Sequence, residues 1–200
     1  MVTTNFETGT NLIKQEVFVS APHDLIAVRI SSREPVSFNV SLMRDKDATF
    51  QTMADGKILM TGQITDKDDP RSGPGGDHMK FSAIAKLENK DGEIENTESG
   101  ISCRAVSEVT IYLTAATNYD IDNLDTSNEI DPVSECEKIL SGVNDLSYAE
   151  IKEAHIADHS EMFDRVSLSF GEDTLAHLPT NQRLNRIKEG AIDNGTCPIF

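Results

Sequence analysis

Two histidines spaced four residues apart are the first candidates for chemistry in this chain. His155 and His159 lie in a run that we predict to be helical, so both side chains would project from one face at the spacing of a helical zinc pair. The residue after His155 is Ile156, whereas a zinc protease of this pattern needs a glutamate there as its general base. Because no third ligand can be identified in the sequence either, we expect a solvated or interface pair of histidines.

Two acidic segments are candidates for calcium binding, since this hard cation favours several carboxylates in a row. They are residues 66–77 and 120–131. The helix-loop-helix calcium motif requires glycine at its sixth position, which is occupied by Arg71 in the first segment and by Asp125 in the second. We therefore interpret the first segment as a long exposed loop and the second as an acidic linker.

The many carboxylates also suggest glycoside hydrolysis, which uses one protonated and one ionised carboxyl group across a sugar. In this sequence no Asp or Glu is flanked by aromatic residues that would raise its pKa or stack on a sugar ring, and no Ser/His/Asp or Cys/His arrangement stands out. Cys103, Cys136 and Cys197 match no zinc-binding spacing, and their odd number leaves at least one thiol unpaired. We accordingly predict no catalytic residue, no cofactor and no metal ligand in this chain.

The overall charge narrows the classes of partner. With 34 acidic and 18 basic residues the chain has a net charge of -16, which argues against nucleic acid and anionic membranes, because both are bound through clustered Lys and Arg. The sequence shows no signal peptide and no apolar run of about 18 residues that could span a bilayer. The sequence does not determine the cellular compartment, and a secreted or periplasmic parent protein is one option.

Short strand-like runs occupy the first part of the chain. Many of them are rich in β-branched residues, they recur about every ten residues, and turn-forming residues separate several of them. They cover residues 12–19, 25–31, 35–42, 58–64, 81–87, 92–96, 100–105 and 109–116. This pattern predicts a mainly β fold, a partial antiparallel β-sandwich of the super-sandwich type followed by a helical linker.

The character of the sequence changes near Asp120. Asp131 followed by Pro132 is a helix start signal, and we predict that this helix ends at Gly142. Ser147 with Glu150 three residues later is a capping box for a second helix. The predicted apolar stripe of that helix consists of Ala149, Ile151, Ala154, Ile156, Met162 and Phe163. A last helix is predicted over 180–189, and the alternation in 166–170 predicts a short strand. We therefore divide the chain into a partial β-sandwich (1–120), an acidic linker (121–131) and a helical connector (132–200).

Three parts of the sequence resemble family 95 glycoside hydrolases, the inverting α-L-fucosidases. Residues 15–30 (QEVFVSAPHDLIAVRI) are similar to a pair of strands in the N-terminal sandwich of that family, and 109–119 is similar to a later strand. The most specific part is the connector around His155 and residues 163–166, followed by 178–184. The sequence departs from the family pattern at Gln15, where Arg is expected, and at His159, where Tyr is expected.

This resemblance implies a fragment of a larger enzyme. The family's catalytic (α/α) barrel would follow the matched part, and it would supply the general acid and base. The parent would then hydrolyse α-L-fucosyl linkages in fucosylated glycans with inversion, while this chain would be inactive and would support the barrel, its expected partner. The alternatives are a stand-alone carbohydrate-binding sandwich, which the absence of Trp disfavours, and a protein-interaction module.

Overall fold

The computed structural model describes residues 1–71, 73–122, 129–167, 172–193 and 195. Eight strands precede three helices. The strands are β1 (Val2–Thr8), β2 (Asn11–Ser20), β3 (Leu25–Val40), β4 (Ala48–Met53), β5 (Lys57–Asp66), β6 (Gly76–Asn89), β7 (Glu93–Thr97) and β8 (Gly100–Thr117). The helices are α1 (Pro132–Ser141), α2 (Tyr148–Phe163) and α3 (Thr180–Lys188), and no helix in the described ranges is long and apolar enough to cross a bilayer.

All eight strands belong to one antiparallel sheet. Their order is β1-β2-β3-β8-β6-β5-β4, and β7 also pairs with β8. The long strand β8 is therefore shared, because β7 pairs with its residues 100–104 and β6 with its residues 109–117. Several consecutive strands are joined by tight turns, such as the one before β5 in which Asp55 and Gly56 both adopt left-handed backbone conformations. Longer connections separate β3 from β4 and β5 from β6.

The sheet bends in the middle of β3 and β8. Their pairing shifts between Ser31 and Val36, and Ala105 in the facing part of β8 has a left-handed φ of 51°. The bend brings the second half of β3, the first half of β8 and β7 over the rest of the sheet, which encloses an apolar core. The core comprises Ile58, Ala85, Leu87, Ile101, Cys103, Val106 and Val109, with Val36, Phe38, Val40 and Ile94 packed against it.

The opposite face of the sheet is covered by helices. Consecutive residues of a strand point to opposite faces of the sheet. The residues of β2, β3, β5, β6 and β8 that alternate with those of the first core therefore point to the helices. They form a second apolar core with α1 and α2, comprising Phe18, Leu25, Ala27, Leu59, Ile84, Tyr112, Cys136, Leu140, Val143 and Ile151. The predicted fold class, a mainly β partial sandwich followed by helices, is confirmed.

The structure divides into two compact units, residues 1–159 and 160–200. Within the second unit, Arg183 of α3 is largely buried and binds two carboxylates. Its guanidinium donates to Asp173 Oδ1 at 2.9 Å and to Asp193 Oδ2 at 2.7 Å. These bonds tie α3 to the segments on both sides of it, so the described part of this unit has a buried ionic centre.

The predicted elements agree with the structure where the periodicity is clear. The predicted strands 25–31 and 35–42 are parts of one continuous strand, and so are 100–105 and 109–116. Strands β1 and β4 were not predicted, because their exposed, threonine-rich sequences carry little apolar signal. The predicted strand 166–170 lies partly outside the described residues, and Cys197 lies wholly outside them.

Candidate functional site at the sheet–helix junction

The best-built polar and aromatic cluster of the first unit lies where α2 meets the sheet. We call it the sheet–helix junction. On the sheet side it consists of Glu16, Phe18 and Arg29, and on α2 it consists of Tyr148, Ile151, Lys152 and His155. The α2 residues recur at intervals of three or four, so they share one face of the helix.

Phe18 is the centre of the junction. Its side chain is 2% exposed, and its ring stacks on His155 with a centroid distance of 4.9 Å and an interplanar angle of 20°. The Tyr148 ring packs against Phe18 at 5.7 Å in a tilted arrangement. Ile151, which is fully buried, lies between the two α2 rings in sequence and completes the contact. A single sheet residue thus contacts two turns of the helix.

A buried carboxylate adds an ionic contact. Glu16 is 9% exposed, and its Oε1 accepts a 2.8 Å hydrogen bond from Lys152 Nζ and lies 3.3 Å from Lys14 Nζ. The hydrogen bond from Lys152 lowers the pKa of Glu16, although burial acts in the opposite direction. Removing Glu16 would leave the Lys152 ammonium without this carboxylate, so the pair favours one register of α2 on the sheet.

Tyr148 contributes a second cationic contact. The Arg29 guanidinium lies 4.5 Å from the centroid of the Tyr148 ring, and Arg29 also pairs with Glu108 of β8. Burial raises the pKa of Tyr148 to about 12. The Tyr148 hydroxyl is buried and has no hydrogen-bond partner among the described residues, so the ring contacts account for its position.

The two histidines that the sequence singled out have different environments. His155 is 7% exposed against Phe18, and burial lowers its pKa below the ordinary value. His159 lies one turn further along α2, with its ring 6.1 Å from that of His155. Among the described residues no group of three or more His, Cys, Asp or Glu side chains is arranged to hold a metal ion. The structure therefore places His155 in a packing role.

Helix α1 is fixed to the sheet beside the junction. Asp131 caps it by accepting hydrogen bonds from the backbone N–H groups of Val133 and Ser134 at 3.2 Å. Cys136 is completely buried, and its thiol contacts the Ser82 carbonyl oxygen at 3.7 Å. The start signal and the end at Gly142 that the sequence predicted for this helix are both confirmed.

The structure also reveals one serine–histidine pair that sequence inspection missed. The Ser20 hydroxyl lies 2.9 Å from His23 Nδ1, and Asp24 follows in the same turn. Ser20 has no exposed surface, so a substrate could not reach its oxygen, and the contact satisfies a buried hydroxyl. The three-residue separation was visible in the sequence but resembles no nucleophile motif.

One groove of the first unit is lined by both polar and apolar side chains. It has a volume of about 590 Å³ between β4, β5, β6 and the start of α1, and hydroxyl and amide groups of Thr49, Thr61 and Gln63 line it. Its aromatic residue, Phe81, is already engaged by the Arg44 guanidinium at 4.8 Å. A Cβ at Gly62, directly opposite on β5, would collide with the Phe81 ring, so the ring also covers a glycine of the neighbouring strand.

Sequence reasoning missed most of the junction. It predicted an apolar stripe on α2 that included Ile156, Met162 and Phe163, but these three side chains are exposed. The face of α2 that packs on the sheet is aromatic and ionic, with buried Ile151 and His155 and half-buried Tyr148 and Lys152. The available signal was the spacing of three and four residues among these side chains, which a search restricted to aliphatic residues does not detect.

Two family models match the chain, one on each side of the acidic linker. The model described as glycosyl hydrolase family 65, N-terminal domain, matches residues 1–122. The model described as glycosyl hydrolase family 95 catalytic domain matches residues 147–197. The boundary between the two matches lies between β8 and α2, so the junction residues of the sheet fall in one match and those of α2 in the other.

Individual proteins give a similar result. The chain is 25% identical over 181 residues to Alpha-L-fucosidase 2 of Arabidopsis thaliana, covering 82% of this chain but only 22% of that protein. A solved structure named for kojibiose phosphorylase, from the human microbiome, has a TM-score of 0.44 and 10% identity over 80% of this chain and 21% of its own, a likeness too low to support an inference. The match over residues 1–122 establishes that the chain belongs to the glycosyl hydrolase family 65 N-terminal domain family, as a member similar to family 95 glycoside hydrolases.

Proposed function

We propose that this chain is the N-terminal region of an α-L-fucosidase-like glycoside hydrolase, in which the β domain positions the first helix of the catalytic segment. One observation carries the proposal: α2 belongs to the segment similar to a catalytic domain, and it packs on strands of the N-terminal domain through Phe18, Ile151 and His155. A helix held by a rigid sheet is a suitable foundation for a catalytic domain, because active-site geometry depends on its supporting elements.

In this proposal the parent hydrolyses α-L-fucosyl linkages of glycans with inversion, and the chain itself is inactive. The support is the similarity to a plant α-L-fucosidase and to a family 95 catalytic domain, of which residues 147–197 match a part. Because the chain spans about a fifth of that relative, the general acid and base would belong to the barrel that follows. We likewise propose the barrel as the partner of the β domain.

Fucose release from an aryl α-L-fucoside tests both parts of the proposal. The purified chain alone should release no fucose. Mixed with a separately expressed family 95 barrel, it should raise the thermal stability or the fucose release of that barrel. The substitution Phe18→Ala should abolish the gain, and Phe50→Ala, in the exposed edge strand β4, should preserve it. Activity of the chain alone, or a mixture without any gain, would contradict the proposal.

A stand-alone carbohydrate-binding module is the weaker alternative. It would use the groove beside Thr49 and Thr61, whose hydroxyls lie 3.3 Å apart. Sugar-binding grooves usually offer an open aromatic face, whereas Phe81 is in contact with Arg44. Calorimetric titration with fucosylated oligosaccharides distinguishes the two functions, since a scaffold domain should give no heat of binding.

A further inference from the structure

Helix α2 is attached to the sheet by few buried side chains. Its buried residues are Ile151 and His155, whereas α1 buries Pro132, Cys136 and Leu140. Elements with few buried apolar contacts open locally at a lower free energy than the whole domain needs to unfold. Helix α2 can therefore leave the sheet while α1 and the strands keep their structure.

His155 supplies half of this buried attachment, and it does so as a neutral ring. The ring stacks on Phe18 and donates a hydrogen bond to the backbone carbonyl oxygen of Val19. Burial lowers the pKa of His155, and this effect exceeds the opposite effect of the bond to Val19. A proton on the ring would place a charge where little water can solvate it.

The charged groups around His155 do not compensate such a proton. On β2, the carboxylate of Glu16 is already bound by Lys152. On α2, the ring of His159 lies 6.1 Å away and Asp158 lies beside it in the sequence. The N-terminal amino group, which precedes β1, and His159 both disfavour a positive charge on His155, and only Asp158 favours one.

Mild acid changes His155 and leaves the other contacts of the junction in place. Histidine is the only side chain that ordinarily changes charge between about pH 5 and 8. The hydrogen bond from Lys152 lowers the pKa of Glu16, so this carboxylate stays ionised, and burial raises the pKa of Tyr148 to about 12. Hydrogen bonds at the start of α2 lower the pKa of Glu150, so the cap of the helix also persists.

We propose that His155 is a pH-sensitive switch whose protonation releases α2 from the sheet while the strands and α1 stay folded. The packed helix favours the neutral ring, so the attachment is complete above the ordinary histidine pKa of about 6.5 and weakens as the pH falls below it. The release itself does not depend on the proposed function. Its consequence does, since in the proposed parent mild acid would uncouple the catalytic segment from the β domain.

Amide hydrogen exchange of the full chain, followed by NMR, measures the release. Exchange is expressed as protection relative to an unstructured chain at each pH, and amides 152–159 of α2 are compared with amides 136–141 of α1. Between about pH 7.5 and pH 5.0 the protection of α2 should fall at least about tenfold more than that of α1, because each pH unit below 6.5 can contribute up to a factor of ten. Undiminished protection of α2, or an equal loss in both helices, would overturn the proposal.

Three variants assign the effect to His155. His155→Phe keeps an aromatic ring without a titrating group, so α2 should keep its protection at about pH 5.0. His159→Phe is the matched control one turn along the same helix, and it should retain the pH-dependent loss. His155→Lys carries a charge at both pH values and should release α2 at about pH 7.5 while the strand amides stay protected. A pH-dependent loss that survives in His155→Phe would exclude His155 as the switch, whether or not His155→Lys folds.

Discussion

At the scale of single residues, the junction uses a histidine as a core residue. His155 offers a flat ring to Phe18 and occupies a buried position on α2 that an aliphatic residue would normally fill. The neutral ring is compatible with this site, whereas the protonated ring would carry a charge into it. Besides burial, the N-terminal amino group and His159 disfavour the charge of His155, while Asp158 favours it.

The stability of the chain should therefore depend on His155 at mildly acidic pH. Burial lowers its pKa in the folded state, so the unfolded state binds a proton more readily. The contribution of His155 is fully present above the ordinary pKa of about 6.5 and is lost as the pH falls towards the lowered value. Urea unfolding at a series of pH values measures how steeply the free energy of unfolding falls as the pH is lowered. His155→Phe should reduce this slope, and His159→Phe should leave it in place.

Phe18 should be the most sensitive residue of the junction. Phe18→Ala removes the ring that touches both Tyr148 and His155, and we expect the free energy of unfolding to fall by about 3–5 kcal/mol. Phe50→Ala, at an exposed position, should cost less than about 1 kcal/mol. Far-ultraviolet circular dichroism is the suitable probe, because the chain has no Trp. Equal losses of unfolding free energy in the two variants would contradict the prediction that the buried ring contributes more than the exposed one.

At the scale of elements, α2 is fixed at its beginning. Ser147 and Glu150 form the capping box that the sequence predicted, since Glu150 accepts from the Ser147 N–H at 2.8 Å and the Ser147 hydroxyl accepts from the Glu150 N–H at 3.3 Å. The Ser147 hydroxyl also donates to the Glu150 carboxylate at 2.7 Å, and this bond, followed by the one from the Ser147 N–H, lowers the pKa of Glu150. The buried residues of the helix follow within two turns, so the cap and the junction act on the same segment.

The same substitution should have opposite effects at two places in α2. Ser147→Ala removes the cap and should destabilise the chain by about 1 kcal/mol. Ser160→Ala, near the end of the helix, should be neutral or stabilise by up to about 0.5 kcal/mol, because alanine has the higher helix propensity. Urea unfolding measures both values. A loss at position 160 as large as that at 147 would show that capping is not what distinguishes them.

At the scale of the whole molecule, charge repulsion opposes the compact state. The excess of 34 acidic over 18 basic residues is only partly relieved by ion pairs such as Glu16 with Lys152. Like charges on a folded surface are closer together than in the unfolded chain, so they destabilise folding at low ionic strength.

Salt should therefore stabilise this protein. Raising NaCl from about 0.01 M to 0.15 M shortens the screening length from about 30 Å to about 8 Å, and the unfolding free energy should increase. Urea is the required denaturant, since guanidinium is itself a salt. A decrease with salt would mean that attractive ion pairs, including the buried Glu16 contact, outweigh the net repulsion.

The sequence by itself determined the fold class, most of the strands and the helix boundaries. Alternation in 35–42, the start signal at Asp131 and the capping box at Ser147 are local features, and local backbone and side-chain preferences decide them. The sequence also carried the family, because the similarity lies in runs such as 15–30 that can be compared without coordinates.

Tertiary structure alone decided how these elements meet. Whether 25–31 and 35–42 form two strands or one depends on pairing with β8, which is distant in sequence. Phe18 and His155 are 137 positions apart, so their contact follows from the packing of α2 on the sheet and from no local pattern. The central place of β8, between β3 and β6, is likewise a property of the strand order, since strands distant in sequence are brought together only by the topology.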